Sequence, residues 1–127
     1  MKIQQSAENY LETILVLSQH LEKVRSIDIA NELKFSKPSV SVAMKNLKED
    51  DYIKISIDGR ITLTEKGKKI AEMIYERHQV LSQLLIHLGV DENTASQDAC
   101  MMEHVISKES FAAIKQHLEK LLQNSQF

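Results

Sequence analysis

The sequence predicts a mainly α-helical protein that contains one small β-hairpin. Only three glycines and one proline occur in 127 residues, which leaves long stretches without helix breakers. Apolar residues recur at helical spacing in several of these stretches. One segment instead alternates apolar and polar residues around an Asp-Gly pair, a pattern typical of a hairpin turn. The expected order is three helices, a hairpin and three further helices.

The composition excludes several classes of protein. No apolar run reaches the roughly 18 residues that a membrane span needs, and the N-terminus lacks a basic segment followed by an apolar one. We therefore expect a cytoplasmic protein with no membrane partner. The single cysteine, Cys100, cannot form an internal disulfide, and in a reducing cytosol it stays available as a thiolate ligand.

The charge is unevenly distributed along the chain. Residues 34–69 carry nine Lys or Arg against five Asp or Glu, whereas the rest of the chain carries seven against thirteen. A basic segment inside an acidic protein suits a polyanionic partner such as double-stranded DNA. A solvated lysine face would give the same counts.

The first predicted helix runs from Ile3 to about Leu21, because its apolar residues form one helical stripe. Its first turns bring Glu8, Asn9 and Glu12 together, since residues three or four apart share a helix face. These side chains are candidate metal ligands. A solvated acidic first turn, favoured by the helix dipole, is the alternative.

Two short helices follow with the spacing of a helix-turn-helix. Ser26 is a good N-cap for the first, which ends at Leu33, and Ser36 for the second, which runs to about Asp50. The second helix of this motif enters the major groove. The residues of this helix that we expect to contact phosphates or bases are Ser36, Lys37, Pro38, Ser39, Ser41, Val42 and Lys45.

A β-hairpin is predicted directly after this helix. Residues 52–57 and 60–63 alternate with period two around Asp58-Gly59. A hairpin at this position is the wing of a winged helix, and it brings Lys54 and Arg60 toward the phosphate backbone or the minor groove. The sequence therefore predicts a winged helix-turn-helix DNA-binding domain over residues 1–64; a winged helix that binds only protein is the alternative.

The C-terminal half is predicted to be helical throughout. A long helix from Glu65 to about Leu88 ends at Gly89, and helices over residues 91–106 and 107–122 follow, the last capped by Ser107. These helices carry more apolar residues than are needed to pack against the winged helix. We therefore expect residues 65–127 to form a dimerisation domain, with an isologous homodimer as its simplest assembly.

Metal-ligating side chains cluster in this second domain. On a helix, Cys100, Glu103 and His104 stand at i, i+3 and i+4 and project from one face. Three such ligands form part of a metal site, and His78 and the acidic group of the first helix can supply the rest. The alternative is a buried cysteine, a solvated glutamate and a core histidine.

The chain as a whole resembles the DtxR/MntR family of metal-dependent transcriptional repressors, in its short two-domain form without the SH3-like domain. The motifs that carry the resemblance are Glu8-Asn9-Tyr10-Leu11-Glu12, Ser36-Lys37-Pro38-Ser39-Val40-Ser41, Leu63-Thr64-Glu65-Lys66-Gly67, Arg77-His78 and Ala99-Cys100-Met101-Met102-Glu103-His104-Val105-Ile106-Ser107. It implies an N-terminal winged helix, a helical dimerisation and metal-binding domain, and repression of metal-uptake genes when divalent metal is bound.

The resemblance also implies a ligand set. Cys100, Glu103 and His104 match the primary metal site of the iron-responsive branch, with Cys100 where the manganese-responsive branch has a second Glu. Glu12 and His78 match ligand positions of the manganese-responsive branch.

Other positions depart from the family pattern. Asn9 stands where the manganese-responsive branch has Asp. Ser82 and Ser96 replace the acid and the histidine of the iron-responsive branch's second site, so that site is expected to be absent or rebuilt. Because a thiolate favours softer ions, the expected metal is Fe(II) first, Mn(II) second and Zn(II) third, with Co(II) and Ni(II) also compatible.

These observations predict a repressor that binds a palindromic operator as a metal-loaded homodimer. We expect neither enzyme activity nor a small-molecule substrate, since the sequence offers no glycine-rich loop and no evident third group to orient Cys100 and His104 for catalysis. The alternatives are a metal-independent winged-helix regulator that senses an organic ligand or oxidation of Cys100, and a metalloenzyme built on the same two residues.

Overall fold

A computed structural model describes residues 4–124, which form six α-helices and one antiparallel hairpin. The elements in chain order are α1 (Gln5–Ser18), α2 (Ser26–Leu33), α3 (Lys37–Glu49), β1 (Ile53–Ile55), β2 (Ile61–Leu63), α4 (Glu65–His87), α5 (Glu92–Met102) and α6 (Lys108–Asn124). This confirms the predicted fold class. None of the helices within residues 4–124 is long and apolar enough to cross a membrane.

The chain divides into two compact units, Met1–Met73 and Ile74–Phe127, and the division falls inside α4. We call them the first and the second unit. The functional boundary predicted between residues 64 and 65 stays a prediction.

The first unit has one apolar core to which α1, α2, α3 and the hairpin all contribute. Burying these side chains supplies the main favourable free energy of folding. The buried residues of this core are Tyr10, Leu11, Ile14, Val24, Ile29, Ala30, Val40, Met44, Leu47, Ile53, Ile61 and Ala71. Helix α3 contributes Val40, Met44 and Leu47 to this core, at positions i, i+4 and i+7 on one helix face.

The connection between α2 and α3 is a tight turn. Lys34 ends α2 in the left-handed conformation, with φ of 58°, and the Phe35 amide donates to the Ala30 carbonyl at 3.1 Å. Ser36 caps α3 as predicted, because its Oγ accepts from the Ser39 amide at 3.3 Å. The N-cap of α2 is Arg25, one residue before the predicted Ser26, and its amide donates to the Asp28 carboxylate at 2.9 Å.

The hairpin pairs β1 with β2 in antiparallel register, with Lys54 opposite Thr62. Each strand is shorter than the alternation predicted, because residues 56–60 form the turn: the Ser56 amide donates to the Arg60 carbonyl at 2.9 Å. Gly59 takes a φ of 87° in this turn, a conformation that L side chains rarely adopt.

The second unit consists of α4 from Ile74 onward, α5 and α6. Its buried apolar residues are Ile74, Leu81, Ala95, Ala99, Phe111 and Leu118. Asp91 caps α5 by accepting from the Thr94 amide at 3.2 Å, and that hydrogen bonding lowers the pKa of the Asp91 carboxyl. The last helix is capped by Ser107 as predicted, since its Oγ accepts from the Ser110 amide at 3.0 Å.

Candidate metal centre and nucleic-acid interface

The first unit carries the acidic group of α1. Glu8 and Glu12 lie one helical turn apart and are only 9% and 8% exposed, whereas Asn9 is half-buried. Burying a carboxylate is unfavourable unless it is paired or hydrogen-bonded. The solvated acidic turn that was the alternative prediction is therefore not what α1 shows.

The second unit brings His78, Glu103 and His104 together. The Glu103 side chain is fully buried, and its Oε2 lies 2.8 Å from His78 Nδ1. Its other oxygen, Oε1, lies 3.4 Å from Nε2 of the nearly buried His104 imidazole. One carboxylate thus stands between two imidazoles, so three of the predicted ligands lie together, and their binding of a metal stays a prediction.

The buried carboxylate is incompletely satisfied by the protein. Within the part of the chain that the structure describes, Oε1 of Glu103 has no hydrogen-bond partner. A buried carboxylate oxygen without a donor is costly. Carboxylate oxygen and imidazole nitrogen are ligands that divalent first-row metals accept, so the residues present fit such an ion.

The segment that carries Glu103 and His104 is the turn after α5. Helix α5 ends at Met102 rather than at the predicted Ile106, because the Val105 and Ile106 amides both donate to the Met102 carbonyl at 3.1 Å. The Arg77 Nη1 on α4 then donates to the Glu103 carbonyl at 3.2 Å and to the Ile106 carbonyl at 3.0 Å. The sequence predicted no role for Arg77, which is distinguished there only by its place beside His78.

Cys100 differs from its predicted neighbours. It lies on α5 and is exposed, whereas Glu103, three residues later, is fully buried. Helical spacing therefore does not give these two residues the same burial, and the role of Cys100 as a ligand stays a prediction. On the same helix, Ser96 Oγ lies 3.5 Å from His78 Nε2, at the outer limit of a hydrogen bond.

The predicted DNA-contacting residues of α3 are all exposed. They lie away from the core stripe, and Val42 shows 60% of its surface to solvent although it is apolar. The exposed residues at the N-terminus and along the outer face of α3 are Ser36, Lys37, Pro38, Ser39, Ser41, Val42 and Lys45. Their contact with DNA stays a prediction.

The hairpin leaves Lys54 and Arg60 exposed to solvent, and their contact with DNA stays a prediction. Its turn is anchored by Asp58, whose carboxylate accepts a hydrogen bond from Ser56 and lies 3.5 Å from Lys23 Nζ. The Ser56 hydrogen bond, helped by the Arg60 amide and by Lys23, lowers the pKa of the Asp58 carboxyl. The Ile57 side chain is fully exposed at the tip.

Comparison with known proteins agrees with both halves of this description. Residues 2–59 match the model of the iron dependent repressor N-terminal DNA binding domain. Residues 64–126 match that of the iron dependent repressor metal binding and dimerisation domain. Together the two matches cover nearly the whole chain.

Individual relatives point the same way. An uncharacterised HTH-type transcriptional regulator of Methanocaldococcus jannaschii is 35% identical over 118 residues, which cover 91% of this chain and 94% of that protein. The transcriptional regulator MntR of Escherichia coli O6:H1 is 33% identical over 113 residues, 89% of this chain and 73% of that protein. A manganese-dependent transcriptional repressor in complex with manganese has a TM-score of 0.82 and 26% identity, over 89% of this chain and 52% of that one. The chain therefore belongs to the DtxR/MntR family of metal-dependent transcriptional repressors.

Proposed function

We propose that this protein represses genes for iron or manganese uptake by binding a palindromic operator as a homodimer when it is loaded with divalent metal. The observation that carries the proposal is the fully buried Glu103 carboxylate, which bonds to His78 through one oxygen and has no hydrogen-bond partner for the other among the described residues. An ion at this carboxylate would supply the positive charge that its burial demands.

The proposed ligands in the second unit are His78, Glu103 and His104, with Cys100 as a further donor. Glu12, with Asn9 or Glu8, is proposed from the first unit on the family resemblance. Imidazoles and a thiol must be deprotonated to bind metal, so metal affinity is expected to fall as the pH is lowered.

The proposed metal is Fe(II), with Mn(II) second, and Zn(II), Co(II) and Ni(II) as further possibilities. The thiol of Cys100 supports the softer ions. Two similar solved structures carry manganese in their descriptions, one of them in complex with manganese, which supports Mn(II). Metal analysis of protein purified without chelator distinguishes these ions.

The surface of the second unit supports the proposed homodimer. Several large apolar side chains are exposed among residues 74–124, and a dimer interface that covered them would remove apolar surface from water. They are Ile86, Leu88, Met101, Val105 and Leu122. An isologous dimer would present two copies of α3 to half-sites about 34 Å apart on the duplex. Sedimentation at micromolar concentration should show a dimer, and a monomer alone would contradict this part of the proposal.

The central experiment measures DNA affinity as a function of metal. Duplexes are selected from a random library with Mn(II)-loaded protein, and their dissociation constants are then measured with EDTA, Mn(II) or anaerobic Fe(II). We expect metal to tighten binding at least about tenfold, within the usual range of allosteric coupling. By linkage, the selected duplex must tighten metal binding by the same factor. Equal DNA affinity with and without metal would instead favour the metal-independent regulator.

One variant at Lys54 and one at Arg60 test the proposed contacts with DNA separately from the response to metal. Lys54→Ala and Arg60→Ala should each weaken binding to all duplexes alike, because each removes a phosphate contact. The slope of log K against log salt concentration should become smaller in magnitude by about one for each variant. Their response to metal should stay as in the wild type.

A further inference from the structure

Arg77 on α4 is only half-buried, yet its guanidinium makes several contacts within the second unit. Its Nη1 makes two hydrogen bonds, to the carbonyls of Glu103 and Ile106, and its guanidinium carbon lies 5.5 Å from the centre of the Phe111 ring. Its Nε is buried and has no hydrogen-bond partner among the described residues. A guanidinium has five donors in one plane and is never deprotonated in a protein.

The two carbonyls that Arg77 binds belong to the turn after α5. Carbonyls at the end of a helix have no intrahelical partner and need one from elsewhere. A cation near a helix C-terminus also interacts favourably with the helix dipole. Arg77, on α4, therefore supplies the hydrogen-bond donor for the two carbonyls of the segment 103–106.

The same segment carries two of the proposed metal ligands, Glu103 and His104. Arg77 binds the backbone of Glu103, and the next residue on α4, His78, binds its side chain at 2.8 Å. Glu103 is thus fixed by two consecutive residues of one helix, one acting on the main chain and the other on the carboxylate. Ligands ordered before the ion arrives lose less conformational entropy on binding.

We propose that Arg77 is a positioning residue of the metal centre: it orders the turn 103–106 so that Glu103 and His104 are held ready for the ion. Phe111 is the platform on which the guanidinium lies. Arg77 is not itself a ligand, since it is cationic. The inference rests on the proposed function, because it assigns a role toward the metal.

The test compares Arg77→Met, Arg77→Lys and wild type in the full chain, with Co(II) as the probe because its visible absorption reports ligand geometry. We expect Arg77→Met to bind Co(II) about tenfold or more weakly, in the range found when groups that orient metal ligands are removed, and to show an altered spectrum. Arg77→Lys should fall between the two, because an ammonium can donate to a carbonyl but lacks the planar fork.

Lys115→Met is the matched control. It also removes one positive charge from the second unit, where Lys115 lies 3.4 Å from Glu76 at the surface, and it leaves the turn untouched. We expect its Co(II) affinity to stay within about twofold of wild type, because exposed pairs contribute little. Thermal unfolding of each metal-free variant, followed by circular dichroism, separates loss of fold from loss of positioning.

The outcomes distinguish the inference from the function on which it rests. A lower melting temperature in the Arg77 variants, with wild-type Co(II) affinity and spectrum in every variant that folds, would mean that Arg77 is merely structural and would overturn the inference. If Arg77→Met does not fold, Arg77→Lys carries the test alone and must bind at least about threefold more weakly. If instead wild type binds Co(II) no more tightly than Glu103→Gln, the metal centre and the proposed function fail together.

Discussion

The two units of this protein bury different kinds of side chain. The interior of the first unit is an apolar cluster to which helices and hairpin all contribute. The second unit buries fewer apolar residues, two of which are alanines, and it buries the Glu103 carboxylate completely. Both units bury carboxylates, but only Glu103 in the second unit is fully buried, whereas Glu8 and Glu12 in the first unit keep 9% and 8% of their surface exposed. The proposed cation would therefore compensate the largest electrostatic cost in the second unit.

Replacing the Glu103 carboxylate by its neutral isostere should change the properties of the protein most. Glu103→Gln should weaken Mn(II) or Co(II) binding at least about a hundredfold, because an anionic ligand is lost. The same change should raise the free energy of unfolding of metal-free protein by about 1 kcal/mol, since it removes a buried, incompletely paired charge.

Isothermal titration with Mn(II) and urea unfolding after EDTA treatment measure the two effects separately. A metal-free Glu103→Gln protein that is less stable than wild type would contradict this contrast between the two units. It would show that the carboxylate helps to hold the second unit together without any ion.

A smaller effect, on stability alone, is expected in the first unit. At Gly67, near the start of α4, an added Cβ would lie 2.1 Å from the Tyr52 carbonyl oxygen. Gly67→Ala must therefore push the backbone of α4 away from residue 52, at a cost of about 2 kcal/mol. Chemical denaturation of metal-free protein gives the value.

Gly59→Ala is the matched control for this change. An added Cβ meets nothing within 4 Å there, so only the left-handed backbone opposes it, at a cost of about 1 kcal/mol. A Gly67→Ala protein as stable as Gly59→Ala would show that the first unit is packed less rigidly than its geometry indicates.

The smallest effect concerns the hairpin turn. Hydrogen bonding from Ser56 holds the pKa of Asp58 below its ordinary value of 3.8. The hydrogen bonds to the Asp58 carboxylate therefore stabilise the turn fully above pH 3.8, and this stabilisation is lost as the pH falls through the lowered pKa. Below about pH 4 the Gly59 amide should therefore shift in NMR spectra and lose protection from exchange. Asp58→Asn should show the same signals at every pH, and a pH-dependent shift in that variant would assign the effect elsewhere.

The sequence predicted the elements well where local chemistry determines them. Ser36 and Ser107 cap their helices, and Asp58-Gly59 turns the hairpin, because side-chain hydrogen bonds and a left-handed glycine act within a few residues. Element ends were less accurate: α1 stops at Ser18 rather than near Leu21, and α5 stops at Met102. The family membership followed from motifs that extend along nearly the whole chain.

The candidate site could be predicted only in part, because its geometry depends on contacts between residues far apart in the chain. The pairing of His78 with Glu103 could be predicted, since both are residue types that bind metals. Arg77 was not, because a single arginine on a long helix has the same sequence signature as a solvated charge. The exposure of Cys100 beside a buried Glu103 was also not predicted, because helical spacing specifies a face of the helix but not how deeply each residue on it is buried.

Ile57 gives the hairpin tip a use as a reporter. An aliphatic side chain that touches no neighbour has methyl groups in an environment close to that of an unfolded chain, whereas the methyl groups of the buried isoleucines are surrounded by core atoms. The two other exposed isoleucines that the structure describes, Ile27 and Ile86, are only 38% and 40% exposed, so selective isotope labelling of isoleucine methyls would set the Ile57 signal apart in the free protein. Because that signal comes from the hairpin turn, its movement on adding a duplex would show that the turn contacts DNA, and an unchanged signal would show that it does not, with no dye attached and no residue replaced.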